Sequence, residues 1–159
     1  MSKTDEAARD TRQFVSFTLA GEEYGIPILR VQEIIRYESL TRVPQSADFV
    51  EGVLNLRGQV IPVIDLRRRF RLPIAEHSSS SRIVVVEVDQ QTVGVIVDSV
   101  NEVRTIDGSQ IDPPPPLGTE INTEFISGMG KLDDRLVILL NLDRAFSQCE
   151  KEQMAEVAV

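Results

Sequence analysis

Side chains able to do chemistry are few in this chain, and they do not cluster. There is one histidine, His77, and one cysteine, Cys149, far apart in sequence and context. A nucleophile with its base, or a His/Cys metal set, is therefore not spelled out. His77 lies beside the serine run Ser78–Ser81 without the neighbours that would make it a ligand or a base. Gly128-Met129-Gly130-Lys131 lacks the spacing of a phosphate loop and precedes a strand rather than a helix. Carboxylates are numerous but scattered over turns and tails. The reading is a non-enzyme with no metal and no cofactor, and what remains is binding. The residue best placed for binding is Arg57, next to Gly58.

Arg57 sits within Glu51–Phe70, E-G-V-L-N-L-R-G-Q-V-I-P-V-I-D-L-R-R-R-F. This stretch reads as a strand, a tight turn at Gly58-Gln59 and a second strand over residues 60–66, with Gly58 supplying positive φ. On the second strand Val60, Ile64 and Leu66 alternate with Ile61 and Val63, so both faces are apolar and belong between two layers. A guanidinium at such a hairpin must emerge into water or find a partner, because an unpaired buried charge costs roughly several kcal/mol. From spacing alone it reads first as a solvated strand-end arginine.

The 159 residues suffice for one domain with a real core or for two small fused lobes. Hydrophobic residues make up 42% and aromatics only 5%, with no Trp, so the core must be aliphatic. Seventeen Lys and Arg against 25 Asp and Glu give a net charge of −8, which repels nucleic acid unless basic residues segregate. The only such run, Arg67-Arg68-Arg69 with Arg71, reads as a solvated face. A lone cysteine excludes an internal disulfide and suits a reducing compartment. The N-terminus lacks the apolar core of a signal peptide, and no stretch reaches the roughly 18 apolar residues of a membrane span. The expected location is cytoplasmic, with no membrane insertion.

In chain order, residues 1–11 read as a disordered tail. Residues 12–19 and Tyr24–Ile28 form a hairpin turning at Gly21-Glu22, and Leu29–Tyr37 takes helical spacing through Val31, Ile34 and Ile35. Ser46 or Asp48 could cap a turn leading into the central hairpin. After the loop 72–81 come strands 82–88 and 92–97, turning at Gln90-Gln91, and a strand over 100–106. Pro113–Pro116 reads as a stiff surface spacer, and residues 125–132 and 135–140 make a last hairpin turning at Asp133-Asp134. Residues 142–156 have helical propensity throughout, with 148–159 as a C-terminal helix or tail.

Two ungapped superpositions show an internal duplication. Phe14–Ile34 overlays Ile83–Val103 at a shift of 69 (83 − 14), and the central hairpin overlays the last one at a shift of 76 (128 − 52). Gly52 meets Gly128, Asp65 meets Asn141 and Phe70 meets Phe146. Two similar β-lobes of about seventy residues each follow, small enough that they should share one core.

The phrase G-V-L-N-L-R-G-Q-V-I-P-V-I-D-L-R resembles the signature of the CheW family, the coupling proteins of bacterial chemotaxis. The resemblance runs from Phe14 to about Phe146 and takes in Gly25-Ile26-Pro27-Ile28, Val31-Gln32-Glu33-Ile34, Thr41-Arg42-Val43-Pro44 and Ile126-Ser127-Gly128. It implies a mainly β domain over residues 12–147: two five-stranded Src-homology-3-like barrels about a common aliphatic centre, with short helices. It also implies a non-catalytic adaptor joining the cytoplasmic tips of chemoreceptors to the regulatory domain of the histidine kinase CheA, in association with membrane receptor arrays. Partner binding falls by this resemblance on Val31, Glu33, Gly52, Arg57 and Gly58. Val31 would bury apolar surface and Glu33 would be a rim charge on another face of a helical turn; core and solvated roles remain the alternatives. A module of a receiver-fused, phosphorylatable adaptor is the second reading, and it would need roughly 100 further residues.

Overall fold

The computed structural model describes residues 11–44, 48–114 and 125–157. The expectations for residues 1–10, Ser46, Pro115 and Pro116 lie outside them, and Thr11, counted with the tail, opens a strand. Eleven strands dominate the described residues: β1 Thr11–Leu19, β2 Glu22–Pro27, β3 Val31–Arg36, β4 Val50–Leu56, β5 Gln59–Asp65, β6 Arg82–Val88, β7 Gln91–Val97, β8 Ser99–Asp107, β9 Ile111–Asp112, β10 Ile126–Leu132 and β11 Arg135–Leu140. The described α-helices are α1 Leu66–Arg69, α2 Leu142–Ala145 and α3 Gln148–Val157. The fold is mainly β, with Src-homology-3-like lobes built on a six-stranded sheet, β8-β1-β2-β11-β10-β9, and a five-stranded sheet, β3-β6-β7-β5-β4.

The duplication is visible element by element. Shifting β4 and α1 by 76 gives residues 126–132 and 142–145, the bounds of β10 and α2. The two repeats do not, however, form two successive lobes as the sequence suggested. Each sheet combines the first hairpin of one repeat (β1-β2 or β6-β7) with the third strand and last hairpin of the other. Parallel pairing of β2 with β11 and of β7 with β5 makes the exchange. Hairpin signals are local, so the sequence shows which strands turn into each other but not which repeat completes a sheet.

The shared core takes Phe17, Leu19 and Ile26 from one sheet and Ile64, Val84, Val86, Val93 and Val95 from the other, closed by Leu66, Leu140, Phe146 and Met154. Each sheet also has an apolar cluster of its own: Leu54, Ile61, Val63, Ile83, Val85 and Ile96 in one, Phe14, Ile106, Val137 and Leu139 in the other. The two-faced strand β5 is thus explained, although Ile61 and Val63 face their own lobe and only Ile64 joins the shared centre. Val60 is half-buried, and Leu136, although aliphatic, is 53% exposed at the start of β11.

Three turns fall one residue earlier than expected, at Ala20-Gly21, Arg57-Gly58 and Asp89-Gln90, and all six residues have positive φ. Such turns match the twist of their strands, and glycine favours the second central position rather than the first. The helix expected over residues 29–37 is absent. Only Ile28–Arg30 form a 3-10 turn, and Val31–Arg36 pair antiparallel with β6. A register shift between Val31 and Glu33 breaks the alternation, so a bulged strand rich in β-branched residues mimics helical spacing. The C-terminal helix is split at Phe146, which is buried with extended backbone. α3 restarts from Ser147, whose Oγ accepts from the Glu150 amide at 3.1 Å while its own amide donates to Glu150 Oε1 at 2.7 Å.

The arginine run is a solvated face only at Arg68 and Arg71, which are exposed; Arg67 and Arg69 turn inward to partners. Arg67 grips Asp98 through Nε at 2.8 Å and through Nη2, and Asp98 Oδ2 also accepts from the Ala20 amide at 2.9 Å. Arg69 pairs with Glu150 at 3.1 Å and lies over the Phe146 ring.

Candidate partner-binding surface

Leu56 pairs with Gln59, leaving Arg57 and Gly58 as the whole of the β4-β5 loop. Their φ values of 51° and 86° put both in the left-handed region, where glycine is at ease and arginine is not. The Asn55 carboxamide oxygen accepts from the Gly58 amide at 2.9 Å, satisfying a donor that the tight turn would leave free. Nothing lies within 4 Å of where a Gly58 side chain would begin. Gly58 therefore serves the backbone, and the surface it helps form is open.

The Arg57 guanidinium reaches Glu33 on β3 with both terminal nitrogens, Nη2 to Oε2 and Nη1 to Oε1 at 3.4 Å. Arg57 is 74% exposed at its side chain and Glu33 only 28%. The hydrogen bond from Arg57 holds the Glu33 carboxyl below its ordinary range, against a smaller opposing effect of desolvation. β3 and β4 are the two ends of the five-stranded sheet. The pair thus straddles them above the apolar cluster that both strands cover.

Val31 and Glu33 stand on different faces, but a bulge and not a helix puts them there. Val31 is opposite Val86 and packs on the shared core, whereas Glu33 is opposite Val85, whose side chain belongs to the lobe's own cluster. Gly52 sits elsewhere, towards the far end of β4, opposite Val63. A Cβ there would lie 2.7 Å from the Thr41 carbonyl oxygen, so glycine is needed for Thr41 to bridge to Val53. The structure brings together Glu33, Arg57 and Gly58, leaves Val31 behind the sheet, and gives Gly52 a packing reason.

Sequence reasoning missed Leu29. It lies on the 3-10 turn between β2 and β3, 95% exposed, at the edge of a groove of about 590 Å³ that Phe14, Pro27, Ile28, Ile111 and Leu139 also line. Assigning the segment to a helix hid it. Ile34, 40% exposed, lies on β3, an end strand of its sheet. A single exposed isoleucine is ordinary, whereas an exposed leucine beside an apolar-lined groove is a feature of surfaces that partners cover. No helix among the described residues is long and apolar enough to cross a membrane.

Residues 13–150 match the family model for the CheW-like domain. The chain is 38% identical over 147 residues to the chemotaxis protein CheW of Klebsiella aerogenes, covering 92% of this chain and 89% of that protein. It is also 38% identical over 138 residues to the chemotaxis protein CheW of Helicobacter pylori, covering 87% and 83%. The crystal structure of the scaffolding protein TtCheW from Thermoanaerobacter tengcongensis superposes with a TM-score of 0.81 at 44% identity, over 89% of this chain and 96% of that one.

Proposed function

This chain belongs to the CheW family, and from that premise we propose that it couples transmembrane chemoreceptors to the histidine kinase CheA, as a scaffold that does no chemistry of its own. The observation that carries the reading is the Arg57–Glu33 pair. An arginine that accepts left-handed backbone in a two-residue turn is a poor choice for stability alone. Glu33 holds the guanidinium by one edge, so its remaining N–H groups face outward with few rotamers left to lose on binding. A helical receptor tip or the kinase regulatory domain would be met by these donors at the β3 edge. Val31 supports that edge from behind, Gly52 lets the Thr41 segment close on β4, and Gly58 allows the turn. Association with receptor arrays follows from these partners.

The test is co-sedimentation of the purified chain with receptor-bearing membranes and with CheA, each alone and together. Binding to both, with the three-part complex forming more fully than either pair, is the expected result. Binding to neither partner contradicts the reading.

A further inference from the structure

His77 has the partners that its sequence context did not show. A side-chain donor from each of Glu51, Asp65 and His77 lies within 4.8 Å of the other two. The three come from different parts of the chain: β4, the end of β5, and the loop that follows α1. Each is held in place separately. Glu51 is the extra residue at the register shift between Val50 and Gly52, and such a bulge re-aims a side chain. Asp65 is 3% exposed and caps α1, its Oδ1 accepting from the Arg67 amide at 3.0 Å. His77 lies against the Tyr37 ring, tilted by 31° with centroids 4.1 Å apart.

The other repeat supplies an internal control. At the shift of 76, Glu51 corresponds to Ser127 and Asp65 to Asn141. Ser127 occupies the same bulge in β10, and Asn141 caps α2 as Asp65 caps α1, accepting from the Asp143 amide at 3.1 Å. Bulge and cap are thus built with neutral side chains in one repeat and with two carboxylates in the other. The backbone does not demand the charges. Bringing two carboxylates together is costly unless a cation joins them. Arg68 pairs with Glu51 only loosely, at 3.8 Å, too long for a hydrogen bond.

We propose that Glu51, Asp65 and His77 form a divalent transition-metal site that pins the loop after α1 to the central hairpin. Two carboxylate oxygens and one imidazole nitrogen make a donor set that suits zinc, cobalt, nickel or manganese, with the remaining positions left to water. The long Glu51 side chain and the loop position of His77 let the donors close to the roughly 2.0–2.2 Å that such ions require.

The experiment uses the full chain, free of any tag and carrying Cys149→Ser so that the exposed thiol cannot compete. Zinc and cobalt salts are titrated calorimetrically at neutral pH, and melting is followed as metal is added. One equivalent bound, a melting temperature that rises with metal, and affinity lower by about tenfold or more in both His77→Gln and Asp65→Asn is the expected result. Asp65→Asn retains the cap that Asn141 provides in the other repeat, so loss of metal there is not loss of fold. A metal-free melt of each variant checks this. Unchanged affinity in His77→Gln, or no binding at millimolar metal, overturns the proposal. So does stabilisation of the parent chain by acid but not by metal, which makes a proton the only cation the cluster takes.

Discussion

Arg57, at the tip of the central hairpin, reaches with both terminal guanidinium nitrogens to Glu33 on β3 and so links the two end strands of the five-stranded sheet. The arginine is the more exposed of the two and sits on strained backbone, while the glutamate is the better buried. An arrangement made for stability would put glycine or asparagine at that turn position. Arg57→Gly is therefore expected to melt at or above the parent temperature while weakening binding to the kinase and the receptor. A melting temperature that drops along with binding would make the arginine structural.

Glu33→Lys replaces the anchor with a like charge and turns Arg57 away from the sheet. Binding to CheA is expected to weaken, most clearly at low salt, with far-ultraviolet dichroism unchanged. Equal affinity across salt concentrations would remove Glu33 from the surface.

Ile64 and Gly52 test the packing. Ile64 is fully buried in the centre that both sheets share, and Ile64→Ala should cost about 2–5 kcal/mol in denaturant unfolding. Gly52→Ala forces a Cβ against backbone at Thr41, which should cost about 1–3 kcal/mol. An unchanged midpoint in the first would contradict the shared core, and in the second the close approach of the Thr41 segment.

The carboxyls of Asp65 and Asp98 are shifted in opposite directions from the ordinary value. Burial is the largest influence on Asp65 and raises its carboxyl pKa, opposed by the Arg67 amide. A carboxyl raised in the folded state destabilises at neutral pH, and the cost disappears as pH falls through its folded value. In the metal-free protein Asp65→Asn should thus be more stable than the parent at neutral pH, with the gain shrinking on acidification. Asp98 is lowered, chiefly by its hydrogen bond from Arg67. Its contribution is complete above the ordinary carboxylate range and is lost as pH falls through the depressed value. Asp98→Asn should cost about 1–3 kcal/mol near neutral pH and less in acid. Melts across pH that show no such divergence would contradict both assignments.

Hairpins, aliphatic core and duplication were legible in the sequence because glycine positions and period-two alternation are local signals. The exchange of hairpins between repeats was not, since the parallel pairing of β5 with β7 leaves no local mark. At the surface, the turn was legible from its glycine, but spacing alone read Arg57 as a solvated strand-end arginine, and only the resemblance made Arg57 and Gly58 candidates for binding. Glu33 was singled out by resemblance, but its partner was not, because the bulge at Gln32 made a strand look helical. His77 seemed isolated for a related reason: Glu51 and Asp65 lie 26 and 12 residues away (77 − 51 and 77 − 65) and meet it only in the fold.

The proposal that this chain couples receptors to a kinase through Arg57 is tested most directly by CheA autophosphorylation in reconstituted receptor membranes. The parent chain should raise the rate. Arg57→Ala should fold and melt like the parent yet fail to raise it, and Arg57→Lys should restore only part, since lysine keeps the charge and loses the fork. Full activation by Arg57→Ala, or a loss of activity matched by a loss of stability, would contradict the account.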